Sequence, residues 1–152
     1  VMKKIIQFIL MAVVCASCTK QAFVYEDIES VVYFLNSGKV SLKPSSKSYE
    51  AVVIKGGNTN DETEVTVIID ESVGEEYNSE NGTIYDLMPE TAYSFTSGVQ
   101  KVSNETKMVT YPIAIDTADL EAGTWMIPIR LKSSTTKVNE NKDKLLLVIE
   151  IK

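Results

Sequence analysis

Thr124-Trp125-Met126-Ile127-Pro128-Ile129-Arg130-Leu131-Lys132 alternates one set of large apolar side chains with a second, mixed set. Successive side chains of a β-strand point to opposite sides of its sheet, so Trp125, Ile127, Ile129 and Leu131 share a face, while Met126, Pro128 and Arg130 share the other. The same period of two recurs in Val65, Val67 and Ile69, in Val109, Tyr111, Ile113 and Ile115, and in Leu145, Leu147, Ile149 and Ile151. These four rows are the predicted core. The opposite rows, which include Thr66, Thr110, Pro112, Arg130 and Glu150, read as the half-wet face of antiparallel sheets.

Outward from these rows, eight stretches carry strand character: 31–36, 49–55, 64–70, 91–95, 99–102, 107–116, 124–132 and 144–152. Between them lie the turn formers Gly56-Gly57-Asn58, Asn81-Gly82, Ser97-Gly98 and Ala122-Gly123. Short strands at this spacing predict an all-β sandwich or barrel. Pro112 and Pro128 have no N–H to give to a ladder, so each is expected at an edge or a bulge. Residues 73–88 break the pattern. There Glu75-Glu76-Tyr77-Asn78 reads as one helical turn and Asn81-Gly82 as a tight turn, inside a long crossover.

The N-terminus has a different character. Lys3 and Lys4 precede an apolar run over 5–14 broken only by Gln7, and Ala16-Ser17 stand immediately before Cys18. That is the layout of a secretory signal. The run is shorter than the roughly 20 apolar residues that span a bilayer, so no permanent transmembrane anchor is expected. Val14-Cys15-Ala16-Ser17-Cys18 resembles a bacterial lipobox, with Cys15 where Leu is usual. The reading is a signal peptide over 1–17, lipid on Cys18, a tether over 18–30 and one domain over 31–152. Lipid would hold the protein at the outer membrane, on the cell surface or on the periplasmic face.

Removal of 1–17 leaves 135 residues, enough for one domain with its own core. It also takes away Lys3 and Lys4, so 13 basic side chains remain of 15 against 21 acidic ones, a net −8. Nucleic acid is disfavoured as a partner, since it rewards clustered Lys and Arg. The chain has no His, and its two cysteines, Cys15 and Cys18, both lie in the signal region. The mature domain therefore has no disulfide to form. Ser-His-Asp and Cys-His nucleophiles and ordinary zinc sites are excluded, and no cofactor is expected.

Glu76-Tyr77-Asn78, then Tyr85-Asp86-Leu87-Met88-Pro89 and Ala92-Tyr93-Ser94, then Leu120, Gly123, Trp125 and Pro128-Ile129 form a run that resembles the immunoglobulin-like N-terminal domain of unknown function in Bacteroidetes surface lipoproteins. Lys137-Val138-Asn139-Glu140 before the last strand fits as well. The resemblance implies an immunoglobulin-like antiparallel β-sandwich of seven to eight strands. It also implies association with glycan capture, because in that family the domain commonly precedes a chitinase-like endoglycosidase, a laminin-G-like domain or a discoidin-type domain. The sequence stops at Lys152, directly after the last strand, so the domain is expected alone. It has Asn104-Glu105 where the family has a Gly-containing turn, and it lacks an acidic stretch soon after Cys18.

Each candidate for chemistry also has a plainer role. The carboxylate pairs Glu75 and Glu76, or Asp116 and Asp119, have the residue types for glycoside hydrolysis, but on an acidic domain they read as solvated surface. Asn58, Asn60, Asp61, Glu62 and Glu64 gather oxygen ligands suited to a hard cation, yet without an EF-hand's Gly and closing Glu they read as a polar loop. Of the aromatic residues, Trp125 and Tyr77 read as core, leaving Tyr85 and Asn78 as ligand-binding candidates. No catalytic and no metal residue is assigned. The function expected is that of a non-catalytic accessory or binding module for glycans. The alternative is an assembly protein that pairs with an envelope partner through an edge strand.

Overall fold

The computed structural model describes residues 26–96 and 98–152. The signal peptide, Cys18 with its lipobox, and most of the tether lie outside the described residues, as does Ser97 of one expected turn. Among the described residues there are eleven strands: β1 (Val31–Phe34), β2 (Gly38–Leu42), β3 (Ser48–Gly56), β4 (Thr63–Ile69), β5 (Asp86–Leu87), β6 (Tyr93–Phe95), β7 (Gln100–Val102), β8 (Met108–Ile115), β9 (Gly123–Ser133), β10 (Lys137–Val138) and β11 (Lys144–Ile151). One α-helix, α1 (Glu71–Asn81), follows β4. One sheet runs β10-β1-β3-β8-β6 and the other β2-β11-β9-β4-β7, with β5 beside β9. The protein is a two-sheet β-sandwich.

All eight expected strands are present. The three unexpected ones, β2, β5 and β10, are those that pair in parallel, with β11, β9 and β1 respectively. β2 arises because the chain leaves the first sheet at Phe34, crosses over at 35–37 and runs on along β11 in the second. Gly38 starts that strand with φ +78°, a conformation in which L side chains are strained.

The predicted rows do face the core. Val67, Ile113, Ile129, Leu145, Leu147 and Ile149 are fully buried, with Val32, Phe34, Ala51 and Val53 of β1 and β3 facing them. Tyr111, also in the core, ties the two sheets together by donating its hydroxyl to the Val65 carbonyl at 2.6 Å. Ile69, Trp125 and Ile151 cap the ends of their rows and are only partly buried. For Trp125 the face is as expected and the depth is less.

The outer face of the second sheet differs from expectation. Met126, Leu146 and Val148 are buried there as a second small cluster, against Tyr77 and Tyr85. The continuous apolar run from Leu145 to Ile149 is thus what a strand covered on both sides requires. The cover is α1, which has three turns where the sequence suggested one. Its sequence shows little helical period, because Val73 and Gly74 are its only fully buried residues. Its ends are well defined all the same. Asp70 caps the N-terminus by accepting from the Ser72 N–H, and Gly82, left-handed at φ 63°, gives its N–H to the Asn78 carbonyl. The expected tight turn at Asn81-Gly82 is thus the close of the helix inside the crossover. Gly74 lets α1 lie close on β9, since a Cβ there would come within 2.5 Å of the Met126 Cε.

Both prolines avoid a lost ladder bond, by different routes. On β8, the Ile115 N–H points toward β3 and the Asp116 N–H toward the β6 side, so Pro112 turns its nitrogen to the β6 side, beyond the last pair at Phe95. Pro128 lies in the middle strand of its sheet and at no edge. Its nitrogen faces the gap between β4, which ends at Ile69, and β5, which ends at Leu87.

Candidate functional site

Beyond the helix cap the chain returns along α1 and places Tyr85 next to Tyr77. The two rings are stacked, with centroids 5.8 Å apart and planes 22° from parallel. Both are half-buried, with Met126, Leu146 and Val148 beneath them. Asn78 sets this geometry. Its Oδ1 accepts from the Tyr85 N–H at 3.1 Å and from the Thr83 hydroxyl at 2.8 Å, and its Nδ2 donates to the Tyr85 carbonyl at 3.0 Å. The structure thus brings the two ligand-binding candidates together in unequal roles: Tyr85 presents a ring, and Asn78 spends its amide on holding that ring's backbone.

Lys39 of β2 completes the ledge. Its Nζ donates to the Tyr85 hydroxyl at 3.1 Å and lies 5.3 Å from that ring's centre. It also lies 5.9 Å from the centre of the Tyr77 ring, so the ammonium makes cation–π contact with both tyrosines. Sequence reading missed Lys39, because a five-residue strand of mixed polarity on an outer edge resembles a loop. It also assigned Tyr77 to the core, whereas the ring lies on the outer face of the second sheet.

Grooves flank the ledge. One of about 240 Å³ is lined by Tyr77, Glu76, Glu80, Glu140, Asp143 and Lys144, among others. The other, about 670 Å³, is lined by Tyr85, Lys39, Lys43, Thr124, Glu150 and Lys152, among others.

Of the carboxylates considered for catalysis, Asp116 and Asp119, both exposed, share the rim of a small groove of about 80 Å³, whereas Glu75 and Glu76 lie on α1. Glu75 is exposed, and Glu76 holds the Lys144 ammonium with both oxygens at 2.6 Å. Asp116 is exposed, 3.9 Å from Lys47. The oxygen-rich loop is organised around a cation of its own. Lys55, buried to 1% exposure, donates to Ser30 Oγ at 2.7 Å, the Thr59 carbonyl at 3.1 Å and Asn104 Oδ1 at 3.0 Å, and pairs with Asp61 at 3.0 Å. The Ser30 hydroxyl above all, then Thr136, Lys55 and Thr59, hold the Asp61 carboxyl well below the usual carboxylate range. Glu62 pairs with Lys101 at 2.9 Å, and Asn58 fastens residues 26–28. Asn60 and Glu64 are exposed.

Comparison with known proteins agrees with this architecture. No curated protein matches the sequence. Among solved structures, the chain is similar to a candidate carbohydrate-binding protein of Bacteroides ovatus ATCC 8483 (TM-score 0.68, 18% identity, 79% of this chain and 36% of that one). It is similar to a two-domain protein of unknown function from Bacteroides fragilis NCTC 9343 (0.64, 12%, 82% and 46%). It is also similar to EndoBT-3987 of Bacteroides thetaiotamicron, solved with a Man5GlcNAc product (0.60, 21%, 78% and 30%). The chain thus spans less than half the length of each of these structures, and at such identities the likeness establishes the fold. A family model described as "-like, N-terminal domain" matches residues 25–138, well over half of the chain. The chain belongs to that family, the immunoglobulin-like N-terminal domain of Bacteroidetes proteins that its motifs resemble.

Proposed function

We propose that this domain is a non-catalytic glycan-binding module, carried on an outer-membrane lipoprotein through Cys18. The observation that supports it best is the Tyr77–Tyr85 ledge. Two stacked, half-buried rings between polar grooves offer apolar ring surface for the C–H faces of sugars and flanking groups for their hydroxyls. Similarity in fold to a candidate carbohydrate-binding protein and to EndoBT-3987 points the same way. Solvated or ion-paired carboxylates favour binding over hydrolysis.

The layout also suits capture at a distance from a membrane. Residues 26–30 are fastened at the end of the sandwich where β4 begins and β9 finishes, beside Thr59 and Asp61. The larger groove lies at the opposite end, beside Thr124 and Ile151. No described helix is long and apolar enough to cross a membrane, and the apolar signal with its lipobox supports a lipid anchor. The assembly alternative draws less support, because the outer strands β6, β7 and β10 have two or three residues each and β2 carries Lys39, which are devices that discourage edge pairing.

Affinity electrophoresis of the full chain through gels containing a polysaccharide panel tests the reading. At least one glycan should retard the wild type, and Tyr77→Ala or Tyr85→Ala should weaken that binding about tenfold or more. Unchanged retardation in both variants, or release of reducing ends by the wild type, would overturn it. For the anchor, a fatty-acid analogue should label the wild type and leave Cys18→Ala unlabelled; retained label would defeat the assignment.

A further inference from the structure

The two grooves beside the ledge carry opposite charge, on a chain whose formal balance is −6. Three lysines, Lys39, Lys43 and Lys152, line the larger groove with a single acidic side chain, Glu150. None of the three lysines takes part in an ion pair among the described residues, although Lys47, Lys55, Lys101, Lys144 and Arg130 all do. Across the ledge the smaller groove holds Glu76, paired with Lys144, Asp143, paired with Arg130 at 3.0 Å, and Glu80 and Glu140, which have no ion-pair partner among the described residues. Glu80 and Glu140, both on the rim of that groove, are acceptors suited to hydroxyl donors.

From this polarity we infer that the ligand is an anionic glycan, bearing uronate or sulfate groups. Its negative group lies in the Lys39–Lys43–Lys152 groove, and a neutral, hydroxyl-rich residue extends across the rings toward Glu80 and Glu140. The inference rests on the glycan reading above and adds the ligand's charge and direction. An anion placed the other way would meet the uncompensated Glu80 and Glu140, where like charges repel, while ammonium groups without an ion-pair partner attract it on the favoured side. Because these groups are exposed, the attraction is screened over about 8 Å at physiological ionic strength, so binding should weaken as salt rises. Lys39 has a competing role as a guard on an edge strand. A guard needs no anion, and this separates the two explanations.

The test compares full-length wild type with Lys43→Gln and with Lys39→Gln/Lys43→Gln on polygalacturonate, chondroitin sulfate and a neutral mannan, at low and high salt. Lys43 makes no hydrogen bond to either ring, so its single variant leaves the ledge intact. Polygalacturonate or chondroitin sulfate should bind more tightly than mannan. The single variant should lose roughly threefold, the double tenfold or more, and both should lose much of the salt dependence. Polygalacturonate alone supports uronate as the source of charge, and chondroitin sulfate alone supports sulfate. Mannan binding that equals or exceeds both, untouched by the lysine variants, would overturn the charge inference and leave the glycan reading standing. No binding to any glycan by a folded wild type would overturn both. Polyanion binding that survives Tyr85→Ala would mark a general attraction and also overturn the inference.

Discussion

The side-chain amide of Asn78 brackets the backbone of Tyr85, accepting from its N–H at 3.1 Å and donating to its carbonyl at 3.0 Å. A residue on a helix thereby fixes an aromatic ring seven positions later without touching what the ring binds. Asn78→Ala is expected to cost about 1 to 3 kcal/mol, the range for backbone groups that lose their partners. It should also weaken glycan binding while Tyr85 remains in place. Thermal melts and affinity electrophoresis on the one variant check both parts. Full affinity with a lowered melting temperature would mean that the ledge does not need this bracket.

Lys55 and Asp61 form an unequal pair, since the ammonium is sealed from solvent and the carboxylate is 39% exposed. Removing the charge that screens the buried partner should do the greater damage. Asp61→Asn is therefore expected to lower the melting temperature more than Lys55→Met, whose remaining carboxylate still reaches water and three hydroxyls. Equal losses would show that the neutral oxygens around Lys55 suffice.

The same pair predicts a response to acid. The folded protein holds Asp61 below its ordinary value of 3.8, and Asp70 is lowered as well, first by Ser72 and then by Arg130. A depressed folded value contributes stability above the unfolded value and loses it as pH falls toward the folded one. Wild-type stability should thus decline below about pH 4, and Asp61→Asn should flatten that decline. Melting temperatures at pH 2 to 6 measure it, and parallel curves would exclude Asp61 as a contributor.

Gly57 fastens the segment that leads to the tether. Its φ is +81°, and a Cβ there would lie 2.5 Å from the Glu29 carbonyl oxygen and 2.7 Å from that of Ile28. Backbone cannot give way as a flexible side chain can. Gly57→Ala should release residues 26–30 to protease, with Gly98→Ala, where nothing lies within 4 Å, as the control. Similar digestion of both variants would show that the clamp at Gly57 is dispensable.

How much of this was legible depends on which face is considered. The inner rows stood out because alternation over four long strands can be read from single residues, and every one of them faces the core. The outer cluster was hidden. Met126 and Leu146 look like exceptions to alternation unless a helix is known to cover them, and α1 offers only Val73, Gly74 and Tyr77 to the sheet, too few for a helical period. The ledge followed the same rule. Tyr85 could be singled out, but its companion Lys39 comes from β2, 46 residues earlier, and only the parallel pairing of β2 with β11 brings them together.

Trp125 separates the two faces experimentally. It pairs with Ile149 on β11 and belongs to the core row, whereas its neighbour Met126 lies under the tyrosines. Its ring is half-buried at the end of the row, and its Nε1 donates to the Glu121 carbonyl at 3.0 Å. Trp125→Ala should accordingly cost about 2 to 3 kcal/mol, less than the ~3–5 kcal/mol of a fully buried aromatic residue. Trp125→Phe should recover most of the packing and lose the hydrogen bond. Because the indole faces away from the ledge, glycan binding should leave its emission unchanged, while Tyr85→Ala removes binding without altering that emission. A shift in emission on adding a bound glycan would place the ligand on the core-row end of β9 and take the site away from Tyr77 and Tyr85.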